Sequence, residues 1–380
     1  MTDKTPDKST AHKRGRKLAL GIIALSIMVA VVAFVYSRIN SPTADERLAV
    51  IEDAREIPDS ENAATVYAHL LRDPNAMSLL DHRPEFLDDE TWNQTYTRPW
   101  LSTDYPELAA WITDHQYITD RLFEAVEFEK CRFPIIIDIQ HMDPQIERIA
   151  SMGQWACLLR FAANNDLAKG RIDSAITKWR CIFKMADHMR QQPTITDQLC
   201  ADNVERIAWS GFTWFLVEGD PQETHFRQIQ AMTLLTGDDW DDALEDICLV
   251  EALTDRKYRE NFGIFGLLML RMPSEYGPDE VRRRYMRKKT ITRGIRILIA
   301  LRRHKNEFGA WPGKLDEIRS ELPAEMLVDP LNKGEFAYKL TDDGFKLYSK
   351  GENNIDEDGK YKSGSEEGPD DWPIWPPRRY

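Results

Sequence analysis

Cysteine is scarce in this chain of 380 residues, which has only Cys131, Cys157, Cys181, Cys200 and Cys248. Structural zinc sites and dithiol redox sites use closely spaced pairs, and no C-x-x-C occurs here, so the sequence predicts neither kind of site. Cys157 and Cys181 lie among apolar residues of predicted helices, where a thiol packs as a small core side chain. One or two disulfides stay open as an alternative if the domain is exported.

The sequence signatures of common enzyme classes are also missing. The chain has no G-x-x-x-x-G-K-[ST], no G-x-G-x-x-G after a predicted strand, no H-E-x-x-H and no G-x-S-x-G. Among eight scattered histidines, His141 lies near Asp138 and Asp143 and could serve in acid–base or metal chemistry. A lone histidine beside acids is more often structural, so these residues do not identify a reaction.

Positive charge is in short supply, since 50 Lys and Arg residues against 63 Asp and Glu residues give a net charge of −13. Nucleic-acid binding needs a positive surface that displaces counterions, so nucleic acid is not an expected partner. One basic run, RRRYMRKK at Arg282–Lys289, stands out within the acidic chain. We interpret it as a solvated helix face that pairs with the acidic C-terminal segment or with lipid headgroups.

One stretch, Leu18–Tyr36, is 19 residues long and carries no charge, which is close to the length needed to cross a bilayer. Six basic residues precede it, and only Arg38 follows it closely. Because Lys and Arg concentrate on the cytoplasmic side, the pattern predicts a cytoplasmic basic tail (1–17) and a single transmembrane helix (18–36) in the inner membrane, with the rest of the chain outside the cytoplasm. A cleaved signal peptide is the alternative, which the long apolar run and the lack of a small-x-small site disfavour.

Helical periodicity dominates residues 45–290, which we predict as an extracytoplasmic helical domain. Apolar residues recur at three- and four-residue steps over Ile146–Ala168, Gly170 interrupts the pattern, and a second amphipathic helix follows with Asp173 as its expected cap. This pair resembles one tetratricopeptide-type hairpin, but no clean second copy appears at the expected spacing. The apolar run FGIFGLLML at Phe262–Leu270 is too short to span a bilayer and is interpreted as a buried helix, with contact to the membrane surface as the alternative.

The pattern changes in residues 291–380, for which we predict a small α+β module. A helix continues to Gly309, and Pro312 fixes a turn after it. The runs FAYKL and FKLYS alternate apolar and polar residues, and the intervening TDDG places Gly344 where a hairpin turn needs a positive φ.

The order of motifs over residues 291–372 resembles the C-terminal part of the major pseudopilin of type II secretion. In that family a helix leads to a G-x-x-P turn, a D-P-W-G-N-P-Y segment, a hairpin ending L-Y-S-x-G and a calcium-binding loop. The matching residues are Gly309, Pro312, Asp329, Pro330, Asn332, Tyr338, Leu347, Tyr348, Ser349 and Gly351. The apolar N-terminal segment lacks the glutamate of the pseudopilin membrane helix, so the resemblance does not extend to processing and assembly. More broadly, the chain resembles a group of bacterial membrane-anchored proteins, a likeness that implies an architecture and no reaction.

The resemblance implies a calcium loop in the acidic segment that follows LYSKG. Its ligands would be Asp356 and Asp358 early in the loop and Asp370 and Asp371 near its end, with backbone carbonyls completing the shell. The stretch NIDEDG also imitates the start of an EF-hand loop, but Ser365 occupies the position where that motif needs glutamate. A flexible acidic tail is the alternative to a metal site.

Together these patterns predict a mainly α protein with an N-terminal transmembrane helix, an irregular, partly tetratricopeptide-like helical domain and a small C-terminal α+β pseudopilin-like module. The expected function is that of a membrane-anchored extracytoplasmic scaffold or partner-binding protein with a structural calcium loop. Its expected partners are the membrane and a protein. Two alternatives stay open: a component of a secretion or pilus-like apparatus, and an anchored enzyme with a pocket that gathers His141 and Asp138.

Overall fold

The computed structural model describes residues 42–81, 83–234, 240–262, 278–362 and 368–377, together with Met28. Over these residues the protein is mainly helical and carries one small antiparallel sheet. The predicted transmembrane segment 18–36 lies, apart from Met28, outside the described residues. Within the described ranges, no helix combines the length and the apolar character that a membrane span requires.

Long helices form the body of the protein, and shorter ones surround them. In the described ranges the α-helices are α1 (Ala44–Ala54), α2 (Ala63–Leu71), α3 (Pro74–Met77), α4 (Asp89–Thr97), α5 (Pro106–Asp114), α6 (Gln116–Ala125), α7 (Asp143–Ala168), α8 (Ile172–Arg190), α9 (Ile195–Glu218), α10 (Glu223–Leu234), α11 (Trp240–Asn261) and α12 (Pro278–Phe308). Short 3-10 turns cover Asp59–Glu61, Ile139–His141, Leu315–Glu321 and Ala324–Leu327.

The predicted helical pair is confirmed as α7 and α8, which turn at Gly170 with a φ of +71°. The expected cap Asp173 is wrong, because Arg171 occupies the N-cap position and Asp173 lies inside the first turn of α8. Helix α9 packs along both helices, and the three together bury large aromatic side chains such as Trp155, Trp179 and Phe212. This three-helix layer is the centre of the hydrophobic core.

The guanidinium of Arg160 on α7 is fully buried and hydrogen-bonds to the C-terminal end of α4. Its Nε donates to the carbonyl oxygen of Tyr96, 3.0 Å away, and Asn164 Nδ2 donates to the carbonyl oxygens of Thr95 and Tyr96. These are among the last carbonyls of α4, which have no partner within that helix. The positive charge of Arg160 also interacts favourably with the partial negative charge at the C-terminal end of α4.

Space for this guanidinium depends on Gly211 in α9. An ideal Cβ at that position would lie 1.4 Å from Arg160 Nη1 and 2.8 Å from Trp179 Nε1. We therefore expect Gly211→Ala to lower the free energy of unfolding by about 1–3 kcal/mol, since overpacking outweighs the better helix propensity of alanine. Urea unfolding of the full chain in a mild detergent, followed by circular dichroism, measures the change.

The matched control for that substitution is Gly153→Ala on α7. A Cβ at Gly153 would meet nothing within 4 Å. Alanine there should raise the free energy of unfolding by up to about 1 kcal/mol through helix propensity alone. Equal effects at the two positions would contradict the packing that we describe around Arg160.

Helix α12 runs unbroken across the expected boundary between residues 290 and 291. Its C-terminal half contacts the helical body, where Arg302 Nη1 donates to the carbonyl oxygen of Val217 at 3.0 Å. Its middle packs against the sheet, so closely that a Cβ at Gly294 would lie 2.2 Å from Ile374 Cδ1. One continuous hydrophobic core therefore includes residues of both the helical region and the C-terminal region.

The sheet contains β1 (Ala337–Thr341), β2 (Gly344–Ser349) and β3 (Trp372–Trp375) in the order β1-β2-β3, with both pairs antiparallel. The predicted hairpin and the helix stop at Gly309, which has a φ of +80°, are confirmed. Strand β3 was not predicted. Its Pro373 is accommodated because β3 is an edge strand, where a missing N–H leaves no ladder bond unmade.

Candidate functional site

The acidic loop between β2 and β3 is the candidate site, and its first half folds against the sheet. Asn332 Nδ2 donates to the carbonyl oxygen of Gly351 at 2.9 Å and to Asp329 Oδ2 at 2.8 Å, which ties the start of the loop to the preceding turn. At the other end Tyr361 pairs with Asp370 in an antiparallel bridge. The described parts of the loop are therefore held at both ends by the chain around them.

Two of the four predicted ligands, Asp356 and Asp358, face lysines of the hairpin. Lys339 Nζ lies 3.1 Å from Asp356 Oδ1 and 3.2 Å from Asp358 Oδ1, and Lys346 Nζ lies 2.7 Å from Asp358 Oδ2. The hydroxyl of Tyr348 donates to Asp356 Oδ1 at 2.7 Å, and this bond is the main reason why the pKa of Asp356 falls to about 2. Hydrogen bonds from Lys346 and Lys339 lower the pKa of Asp358. The negative charges of Asp356 and Asp358 are therefore already paired with the positive charges of Lys339 and Lys346.

The other two predicted ligands, Asp370 and Asp371, turn into the loop and bind its backbone. Asp370 Oδ2 accepts from the amides of Glu352 and Asn353 at 2.8 and 3.2 Å. Asp371 is fully buried, and its Oδ2 accepts from the amides of Glu357 and Gly359 at 2.9 and 2.7 Å. The loop backbone therefore wraps around these two carboxylates, which satisfy amides 12 to 18 residues away in the sequence.

Among the described residues, neither Asp370 Oδ1 nor Asp371 Oδ1 has a hydrogen-bond partner, although both oxygens are buried. Burial raises the pKa of Asp371 to about 6, and the adjacent carboxylate of Glu357 adds to this shift. A buried polar atom without a partner costs about 1–3 kcal/mol, and more when it is charged. Each of these two oxygens is therefore able to accept a proton or to bind a cation.

Gly351 provides the space in which Asp370 lies. Its φ is +63°, and an added Cβ would lie 2.2 Å from Asp370 Oδ1. No side chain other than that of glycine fits both this backbone conformation and this approach. The glycine of the L-Y-S-x-G motif thus has a local role in the site.

The structure divides the four predicted aspartates into a lysine-paired set and a backbone-bound set. Within the described residues, no three acidic, histidine or cysteine side chains group together in a way that could hold a metal ion by themselves. Calcium accepts carbonyl and water oxygens as well as carboxylates, so a pair of carboxylates with a free oxygen each is compatible with a weak site. Glu357, which sequence reasoning missed, is the acidic side chain that helps to raise the pKa of Asp371.

The basic run of α12 contacts this loop, as the sequence pattern predicted. Arg283 Nε lies 3.9 Å from Glu352 Oε1. The guanidinium of Arg287 lies over the rings of Trp372 and Tyr361, 5.1 and 5.8 Å from their centroids. Cation–π contacts of this kind stabilise by about 0.5–1 kcal/mol at exposed sites. The loop is therefore attached to the long helix as well as to the sheet.

The histidine considered for chemistry, His141, lies on the surface. Its Nδ1 is 3.0 Å from Asp138 Oδ2, but the imidazole side chain is 76% exposed. Asp138 also caps the 3-10 turn at Ile139–His141 by accepting from the amide of Gln140. Active-site acids and bases usually lie in a cleft, and this mostly exposed imidazole does not. The pair therefore gives the enzyme alternative no support.

A buried polar cluster in the helical body was not predicted. Asp197 is fully buried on α9, and Arg148 of α7 places Nη1 2.7 Å from its Oδ1 and Nη2 3.0 Å from its Oδ2. The side chains of Thr194 and Gln145 also donate to Asp197 Oδ2, at 2.6 and 3.2 Å. Arg148 in turn stacks on Phe133, 4.5 Å from its centroid. The only signal in the sequence is Thr194 three residues before Asp197, which is a helix-start pattern.

Fold and site together define a mainly helical protein with a small antiparallel sheet, whose acidic loop folds around the buried carboxylate of Asp371 and the half-buried carboxylate of Asp370. Comparison with protein-family models, with curated proteins and with solved structures returns no match to this chain. The likeness to the major pseudopilin therefore depends on the sequence motifs alone.

Proposed function

We propose that the chain is a single-pass, membrane-anchored scaffold whose extracytoplasmic part binds a protein partner and whose acidic loop holds a structural calcium ion. The anchor is the uncharged segment 18–36, with the basic residues before it on the cytoplasmic side. The continuous core that joins the helical body to the C-terminal sheet supports a scaffold, because it keeps the surfaces of both regions in a fixed relation. No reaction is part of this proposal.

The observation that carries the calcium proposal is that two buried oxygens, Asp370 Oδ1 and Asp371 Oδ1, accept no hydrogen bond within the part of the chain that the structure describes. A divalent cation would neutralise these carboxylates together with Glu357, and backbone carbonyls and water would supply the other oxygens. Asp356 and Asp358 would stay with Lys339 and Lys346. Calcium suits an extracytoplasmic location, where it is plentiful enough for a weak site.

Calcium is expected to stabilise the C-terminal region of the full chain in detergent. With a Kd of about 0.1 mM, as extracellular calcium modules have, 10 mM calcium is about 100 times Kd and should add about 2.7 kcal/mol to the free energy of unfolding relative to a chelator. Asp371→Asn and Asp370→Asn should remove this difference. Asp358→Asn is the matched control and should keep it, because Asp358 is paired with Lys346. A calcium effect of unchanged size in Asp371→Asn would argue against the site.

Topology is tested by a reporter fused after Tyr380 that is active only outside the cytoplasm. We expect an active reporter, because the six basic residues before the apolar segment keep the N-terminus inside. Replacing these residues with glutamine should reduce or invert the signal, which is the control for the charge rule. An inactive reporter on a stably expressed fusion would overturn the proposed location.

A second candidate is a component of a secretion or pilus-like apparatus. The observation in its favour is that the residues of the pseudopilin-like motifs form the turn, the hairpin and the start of the loop in the same order as in that family. Copurification with secretion proteins from membranes would support this function. If the chain is isolated without secretion proteins, the result favours the scaffold proposal over the apparatus proposal.

A further inference from the structure

One corner of the helical body collects exposed apolar side chains. Ile139, Tyr258 and Phe262 are 50%, 36% and 44% exposed, and we name them the apolar corner. The ring of Tyr258, in the last turn of α11, meets the ring of Phe262, just after the helix, edge to face, with the centroids 4.9 Å apart. Asn261 Nδ2 donates to Asp138 Oδ1 at 3.2 Å, so the end of α11, which Phe262 follows, lies beside the start of the 3-10 turn that contains Ile139.

Helix α1 starts at this same corner. The amide of Ala44 at the start of α1 donates to Glu260 Oε1 at 3.2 Å, and Lys257 Nζ lies 2.5 Å from Asp45 Oδ2. Ala44 is only eight residues beyond Tyr36, the last residue of the apolar segment, and eight extended residues span at most about 28 Å. A membrane helix ending at Tyr36 therefore keeps the apolar corner close to the bilayer surface.

The charges around the corner are paired in a way that suits an interface. Lys257 is matched by Asp45, and Arg256 Nε lies 2.8 Å from Glu260 Oε1. Pairing reduces the repulsion that isolated carboxylates would meet at an anionic lipid surface. Tyrosine is also a residue that favours the boundary between water and hydrocarbon, because its ring is apolar and its hydroxyl is polar.

We propose that the apolar corner rests in the headgroup region of the bilayer that holds the anchor, and so gives the body a second attachment to the membrane. This proposal depends on the membrane anchoring proposed above. The second attachment would fix the tilt of the body relative to the bilayer, because two points of attachment define an orientation that one point does not. The length of chain between the apolar segment and Ala44, the exposed apolar side chains and the paired charges all favour lipid as the occupant.

Photocrosslinking of the full chain in vesicles tests the proposal. The photoreactive residue p-benzoylphenylalanine replaces Phe262 or Ile139, and Leu340 of β1, which is 53% exposed, is the matched control far along the chain. The vesicles contain phosphatidylethanolamine, phosphatidylglycerol and a phospholipid with a clickable acyl chain. We expect lipid adducts at positions 262 and 139 to exceed those at position 340 several-fold.

Equal lipid labelling at all three positions would overturn the second attachment, and so would protein adducts in place of lipid adducts at positions 262 and 139. Extraction with alkaline carbonate separates this outcome from failure of the anchor. A chain that stays in the membrane pellet but gives no lipid adducts at the corner is anchored without the second attachment. A chain that carbonate releases would overturn the anchoring and the corner together.

Discussion

Asp197→Ala is expected to lower the free energy of unfolding by about 3–5 kcal/mol, the cost of leaving one partner of a buried ion pair without the other. Both side chains are nearly inaccessible, with 1% of Asp197 and 6% of Arg148 exposed. Removing the carboxylate strands the guanidinium against Phe133 and also removes the acceptor of Thr194 and Gln145. Urea unfolding of the full chain in a mild detergent measures the loss.

The matched control is Glu61→Ala, which breaks the exposed pair between Glu61 and Lys130. Its atoms are 3.0 Å apart, but both side chains are more than half exposed. Exposed pairs contribute about 0–1 kcal/mol, so this change should be small. A loss at Asp197 no larger than the loss at Glu61 would show that the buried cluster does not hold α7 to α9.

Acid should destabilise the protein through His188, which is fully buried on α8. Its Nδ1 lies 3.0 Å from the hydroxyl oxygen of Tyr67 and its Nε2 lies 2.9 Å from the carbonyl oxygen of Phe128. A neutral ring satisfies both contacts by accepting at Nδ1 and donating at Nε2. Burial lowers the pKa of His188 to about 4, and nearby Lys184 adds to this effect.

The unfolded chain binds a proton at this histidine near its ordinary pKa of about 6.5, whereas the folded chain does so only near pH 4. Stability is therefore unaffected above about pH 6.5 and falls as the pH drops from there to about 4. The loss at the lower limit is about 3 kcal/mol, since each pKa unit corresponds to about 1.4 kcal/mol. This loss is measured by determining the free energy of unfolding at intervals from pH 7 to pH 4.

The comparison that isolates this effect is His188→Gln, which has no titratable ring. The variant is expected to be less stable at pH 7, but its stability should fall less steeply between pH 6.5 and pH 4. The difference between the two slopes belongs to His188, because the other titrating groups are common to both proteins. If the stability of the two proteins fell equally steeply with pH, the imidazole of His188 would be solvated and not buried.

The elements that the sequence predicted well are those that local patterns determine. The α7–α8 pair, the hairpin of β1 and β2 and the helix stop at Gly309 each follow from periodicity or from turn residues a few positions apart. Strand β3 was missed because Pro373 and the flanking prolines resemble a loop. Only its pairing with β2, across the whole acidic loop, makes it a strand.

The candidate site was predicted in composition and not in arrangement. The four aspartates are in the loop, but no local pattern shows that Lys339 and Lys346 would meet Asp356 and Asp358 from 12 to 19 residues away. The orphan oxygens of Asp370 and Asp371 depend on how the loop backbone turns around them. The Arg148–Asp197 pair joins residues 49 positions apart, so helix periodicity could not reveal it.

The unbroken helix α12 has a mechanical consequence. At 1.5 Å per residue its 31 residues form a rod of about 46 Å. Arg283 and Arg287 near one end hold the acidic loop, and Arg302 near the other end holds the helical body. A partner that pulls on the loop would load this rod along its length, so the pull would reach α9 without a hinge to absorb it.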